Sequence, residues 1–264
     1  MLWHRESRSN RKQGGFPPDE VEKLLDYYEV TEPHRAQLLS LAADANERGW
    51  WEEYTDAVTP DLLEFIGLEA EAESVAQWQV EVIPGLLPTP EYGRHVVNAV
   101  QNFDPTAPGI VERRVQARIA RQSVLTDRNP PLRLSLVIDE SALLREIGGP
   151  QVMSAQLAHL AKMIELPNVE LRVHPMRTSS SLMASSFVVF GFGSLSGTPP
   201  LGDVVSAESV ASGELYVEGE TDTYLYRLLF SSLLDASLTS AQSKQLLFRM
   251  TRTVSNIRYV PMWR

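Results

Sequence analysis

The chain has no cysteine among its 264 residues. Disulfides, thiolate zinc sites, iron–sulfur clusters and cysteine nucleophiles are thereby excluded, and a reducing, cytoplasmic location is the expectation. It also lacks any apolar run of the roughly 18 residues that a membrane helix needs. No apolar stretch follows the basic N-terminal residues as it would in a secretory signal, so neither a membrane span nor export is expected. Positive charge is scarce: 24 Lys+Arg stand against 34 Asp+Glu, a formal net charge of −10. The average field therefore repels phosphate backbones, and any contact with DNA must come from a local basic cluster.

Metal and cofactor signatures are equally sparse. The histidines His4, His34, His95, His159 and His174 form no His-Glu-x-x-His and no pair at ligand spacing, so no metal and no cofactor is expected. Gly191-Phe192-Gly193-Ser194-Leu195-Ser196 lacks the last glycine of a dinucleotide fingerprint. Phosphate-loop and kinase signatures are absent.

What is present is an ordinary globular composition, 43% hydrophobic and 22% charged with 15 Gly and 17 Pro, and a length that suits one large or two small domains. The first half reads as helical. Val21, Leu24, Leu25 and Tyr28 recur at one helical face, and Thr31 precedes Glu32-Pro33 as the expected cap of a second helix carrying Leu38, Leu39, Leu41 and Ala42. Thr59-Pro60-Asp61 and Thr89-Pro90-Glu91 repeat a hydroxyl–proline–acid helix start, predicting helices near 60–80 and 90–101, and a further helix runs over 110–125. Trp50, Trp51 and Tyr54 form an aromatic cluster that either plugs a joint between packed units or offers a stacking platform.

From Leu132 the pattern changes to strands, with candidates at 132–138, 169–174, 187–192, 204–208 and 215–217. Helices are expected at 150–166, 221–234 and 239–255. The fold class is therefore α+β: an N-terminal helical region over 1–48, a helical connector over 49–130, and a sandwich-like α/β region over 131–264.

Several residues carry possible chemistry. Arg114, Arg118 and Arg121 project from one helical face, either toward Glu69 and Glu73 in an internal ion-pair network or into a site for an anionic small molecule. Asp139-Glu140 ends the 132–138 strand, where α/β proteins commonly place functional groups, although Asp139 or Ser141 also suits the cap of a short helix over 142–147. His174-Pro175 ends the next strand, and a Ser/Thr-rich stretch over 178–186 follows. His174, Asp139 and a serine assemble on paper into a nucleophilic triad, but no Gly-x-Ser-x-Gly elbow accompanies them. Arg5, Arg8, Arg11 and Lys12 face only Glu6 in the first segment, which reads as a solvated tail or as a DNA-contacting edge.

The order of several short stretches resembles the actinobacterial WhiJ-like, Xre-type helix-turn-helix regulators with a C-terminal antitoxin-like effector domain. The resemblance runs from Pro18-Asp19-Glu20-Val21-Glu22-Lys23 and Gly49-Trp50-Trp51 through Ile66-Gly67-Leu68-Glu69 and Val82-Ile83-Pro84-Gly85-Leu86-Leu87. It continues in Thr89-Pro90-Glu91-Tyr92, Arg118 with Arg121-Gln122, Ile138-Asp139-Glu140-Ser141, Gly148-Gly149 and Leu166-Pro167-Asn168-Val169.

It implies a DNA-reading head, a connector and an effector domain that responds to a small protein partner or a small-molecule ligand, and a homodimer, since such regulators pair on DNA. The family's helix-turn-helix would need roughly 40 residues more upstream, so direct DNA reading is expected to be weak or lost, with Arg5, Arg8, Arg11 and Lys12 supplying phosphate contacts. Glu69, Arg114, Arg118, Arg121, Asp139, Glu140 and His174 are the expected ligand-binding set. The alternative is a relative turned to cofactor-independent chemistry on a small molecule in a biosynthetic pathway, with Glu69, Arg118, Asp139, Glu140 and His174 as acid, base or anion clamp.

Overall fold

The computed structural model describes residues 17–44, 49–100, 107–177, 184–193, 202–209 and 213–256. The described residues up to Glu52 belong to one compact unit and those from Glu53 onward to another. The basic residues Arg5, Arg8, Arg11 and Lys12, and most of the Ser/Thr-rich stretch, lie outside the described residues.

The first unit contains α1 (Pro18–Tyr27) and α2 (His34–Asp44). Pro18 occupies the first turn of α1, where its missing N–H costs nothing. Of the expected apolar face only Leu25 is buried, while Leu24 and Tyr28 are exposed. Thr31 is not the side-chain cap of α2: the Glu32 carboxylate accepts the Ala36 N–H at 3.2 Å instead. An Arg35–Asp26 ion pair at 2.8 Å ties the two helices together. Trp50 and Trp51, both half-buried, meet edge to face at 5.9 Å.

The second unit opens with α3 (Pro60–Glu71), whose Thr59 hydroxyl accepts the Leu62 N–H at 3.3 Å. The helix expected over 60–80 stops at Glu71. Ala72 turns extended, Glu73 N–H donates to the Gly191 carbonyl at 2.9 Å, and Ser74–Gln79 becomes strand β1. A strand flanked on both sides and covered on both faces buries most of its side chains, which erases the in–out alternation that would have marked it.

The other strands are β2 (Arg133–Asp139), β3 (Val169–His174), β4 (Phe187–Gly191), β5 (Asp203–Ser209) and β6 (Gly213–Val217), in the order β3-β2-β1-β4-β5-β6. β1, β2 and β3 are mutually parallel, whereas β4, β5 and β6 join antiparallel. Parallel neighbours need crossovers. α4 (Pro90–Val100), α5 (Pro108–Ala120) and α6 (Ser123–Thr126) connect β1 to β2, and α7 (Glu140–Leu144) and α8 (Pro150–Met163) connect β2 to β3. α9 (Glu220–Asp235) and α10 (Ser240–Asn256) follow the sheet. The stretch 49–130, expected as a helical connector, thus contributes a central strand to the same sheet.

Strand alternation sorts the core into two layers. Val75, Leu136, Ile138, Leu171, Val188 and Phe190 pack with Met153, Leu157, Leu160 and Leu247 from α8 and α10. Trp78, Val137, Phe187, Val189 and Val205 pack on the other face with Phe230 and Leu233 of α9. Buried amides tie the connecting segments down. Gln156 accepts the Thr89 N–H and donates to the Leu87 carbonyl, both at 2.7 Å. Asn168 donates to the carbonyls of Leu125 at 3.0 Å and Leu132 at 2.8 Å. The Tyr92 hydroxyl accepts the Ile83 N–H at 3.0 Å, which fixes the 83–92 segment beside the sheet. Among the described residues no helix is long and apolar enough to cross a membrane.

Candidate ligand-binding site

The arginine stripe predicted on α5 exists, but its members meet different fates. Arg114 Nε donates to the Ala57 carbonyl at 2.7 Å. Neighbouring Arg113 pairs with Asp56 at 2.7 Å. Arg121, just past the end of α5, binds both Glu69 carboxylate oxygens at 2.8 Å, with the two side chains only 7% and 3% exposed. Its guanidinium also lies 5.1 Å from the Phe65 ring centre. Glu73, the other acid expected to answer the stripe, instead faces Arg133 at 3.6 Å on the surface.

Arg118 receives no such partner. It is half-buried and makes no hydrogen bond or ion pair among the described residues. Burial, reinforced by the like charges of Arg121 and Arg114, pushes its guanidinium down to about 10. It remains a cation at neutral pH, and an uncompensated one.

Arg118 and Arg121 border a cavity of about 170 Å³ between the α3 and α5 side and the sheet. Gln77 and Gln79 of β1, Ser186 before β4 and Ser206 of β5 add polar groups, and Phe65, Ile83, Pro84, Val96 and Val188 supply apolar wall. Gln77 Nε2 donates to Gln79 Oε1 at 3.0 Å, which leaves the Gln79 amide NH2 without a partner among the described residues. A guanidinium and an amide donor in an apolar-walled recess are suited to holding an anion and do not by themselves perform chemistry.

The remaining expected ligand residues are not part of this cavity. Asp139 and His174 are register partners on β2 and β3 and point to the sheet face that carries Trp78, opposite the face of Gln77 and Gln79. Asp139 caps α7 by accepting the Ser141 N–H at 2.9 Å. Glu140 accepts the Met176 N–H at 3.0 Å. His174 is buried edge-on against Trp78 with ring centres 5.6 Å apart, and its Nδ1 lies 3.4 Å from the Ser237 hydroxyl. Burial lowers the affinity of His174 for a proton, with Asp139 opposing in part. No relay forms, because the Ser237 hydroxyl donates to the Leu233 carbonyl at 2.6 Å and the Asp139 carboxylate serves Ser141.

Of the seven expected ligand residues, then, Arg118 and Arg121 border the cavity and Glu69 supports it through Arg121, whereas Arg114, Asp139, Glu140 and His174 serve the scaffold. Gln77, Gln79 and Ser206 were not anticipated. The first two sit in the segment expected to be helical, and their signal was the every-second-residue spacing of glutamines around Trp78. Among the described residues no group of His, Asp and Glu could hold a metal ion.

An α+β unit with a mixed six-stranded sheet and a cation-bordered cavity on one face is the class that fold and site define. The chain belongs to the DUF5753 family, a domain of unknown function whose model matches residues 62–249 and so covers the cavity and all its lining. No curated protein matches the chain. Among solved structures it is similar to TrmBL2, an archaeal chromatin protein described as showing a novel mode of DNA binding, at 13% identity and a TM-score of 0.32. That match covers 84% of this chain and 66% of the other, so the chain spans just under two thirds of that protein's length.

Proposed function

We propose that this chain is an antitoxin-like transcriptional regulator of the WhiJ-like type, acting in the cytoplasm as a homodimer and reading a small ligand through its DUF5753 unit. Weak DNA contact comes from Arg5, Arg8, Arg11 and Lys12, which face the single acid Glu6 in the first segment of an otherwise acidic chain. The observation that carries the reading is the unpaired guanidinium of Arg118 at the cavity. A buried charge without a partner is costly to keep, and a bound anion would satisfy it. Between the two effectors expected, a small protein and a small molecule, a recess of about 170 Å³ favours the small molecule.

The enzymatic alternative needed Glu69, Arg118, Asp139, Glu140 and His174 in one place. Three of those five serve the opposite face or the helix start after β2, so no observation favours it.

Fluorescence anisotropy with a duplex of arbitrary sequence tests the DNA-binding half. Binding is expected to be weak and sequence-tolerant, with a log–log salt slope no steeper than about −7 for the eight phosphate contacts a dimer can make, and to vanish when the four basic residues become alanine. No binding at low salt, or tight binding insensitive to salt, overturns the reading.

A further inference from the structure

We propose that the Arg118 cavity is a binding site for a small organic monocarboxylate with an apolar body. The proposal deepens the ligand-reading half of the function above and rests on it.

Charge sets the first constraint. Two guanidiniums border the cavity, but Glu69 neutralises Arg121 through both carboxylate oxygens, so one positive charge remains. One negative charge balances it. A phosphate dianion would bring a second charge into the recess with no cation left to meet it. Glu81 does not border the cavity and is exposed, held by the Ser186 hydroxyl.

Geometry sets the second. Arg118 lies between two anchored neighbours on the same helical face, Arg114 on the Ala57 carbonyl and Arg121 on Glu69, so its backbone is fixed on both sides. A guanidinium presents its donors in a plane that matches a carboxylate, and desolvation strengthens that pairing. The free Gln79 amide NH2 gives a second donor from the sheet.

Size and lining set the third. The cavity of about 170 Å³ exceeds by an order of magnitude the roughly 10–15 Å³ that admits one water, yet falls below the roughly 300 Å³ at which drug-sized pockets begin. Phe65, Ile83 and Val188 would cover the body of such a ligand. A compact aromatic or branched aliphatic acid fits these three constraints together.

Thermal melts of the full chain with millimolar benzoate, phenylacetate and isobutyrate test the proposal, because a ligand that binds only the folded state raises the midpoint with its concentration. At least one acid is expected to raise the midpoint saturably, while neutral benzamide and inorganic phosphate do not. Arg118→Met should abolish the shift, Arg118→Lys should weaken the acid by about tenfold or more through loss of the planar fork, and Gln79→Leu should weaken it less. Should the methionine variant fail to fold, the lysine and Gln79 variants carry the test. No shift with any of the three acids overturns the proposal. So does a phosphate shift as large as the best acid's, or an undiminished shift in the Arg118 variants. A protein that binds the acid but no DNA keeps this site and loses the regulator reading; one that binds DNA but no acid does the reverse.

Discussion

Arg121 and Glu69 meet through two parallel 2.8 Å hydrogen bonds inside the protein, with both side chains almost wholly enclosed. The pair joins the end of α5 to α3 and forms one border of the cavity. Its net contribution over an apolar pair is small, because both charges had to be desolvated, but losing one partner strands the other. Glu69→Ala is therefore expected to cost about 3–5 kcal/mol, and the double replacement Glu69→Leu with Arg121→Met to recover most of that. Urea denaturation of the three variants measures both effects.

Gly85 sits against the same pair. A Cβ at this position would lie 2.5 Å from Arg121 Nη1, and the guanidinium cannot swing aside without breaking its bonds to Glu69. Gly85→Ala should destabilise by about 1–3 kcal/mol, the usual cost of overpacking, whereas in the Glu69→Leu/Arg121→Met background the same change should cost much less. Equal costs in both backgrounds would mean that the pair does not set the clash.

Arg118 gives a pH signature of the opposite kind to a stabilising ion pair. Its guanidinium is pushed down to about 10 in the folded protein, so the unfolded chain holds the proton more tightly. Losing that proton favours the folded state, and stability attributable to this residue rises as pH climbs above about 10 toward the ordinary arginine range. Comparison with Arg118→Met isolates it from other titrations. The methionine variant should be the more stable protein at neutral pH without ligand, and wild type should close the gap above pH 10.

His174 and His159 move in the acid range. Burial lowers both below the ordinary 6.5, with Asp139 partly opposing the shift at His174 and Lys162 adding to it at His159. The unfolded chain then takes up protons first. The stability they contribute is complete above about 6.5 and lost as pH falls through that value toward the lower folded one. Urea midpoints between pH 7.5 and 5 should fall in wild type and fall less in His174→Phe, which keeps a ring against Trp78. An unchanged slope would show that His174 does not contribute.

Gln156 is fully buried with its amide shared between Thr89 N–H and the Leu87 carbonyl. Gln156→Leu leaves both backbone groups unsatisfied, so a loss of about 2–4 kcal/mol is expected, read by the same denaturation.

Much of this architecture was legible in the residues. The α+β class, the strand ending in Asp139, the strand ending in His174 and the paired closing helices follow from period and capping alone. β1 did not, because Thr59-Pro60-Asp61 announces a helix and nothing between Glu71 and Ser74 announces its end: no glycine or proline stands there. The arginine spacing called for anions, and Glu69, one of the two acids expected to answer it, meets Arg121; only the fold reveals that no acid among the described residues answers Arg118. Asp139 and His174 misled for a related reason. Strand ends attract functional groups, but side-chain alternation turned these two to the face away from the cavity, where capping and aromatic packing occupy them.

The most direct test of the central claim watches Arg118 itself. In a 15N-labelled sample the Arg118 Nε–Hε resonance, assigned by its disappearance in Arg118→Lys, is followed as benzoate is added. The account predicts a saturable shift of that resonance, larger than those of Arg114 and Arg113, with benzamide leaving it unmoved. A resonance indifferent to benzoate, phenylacetate and isobutyrate alike would contradict it.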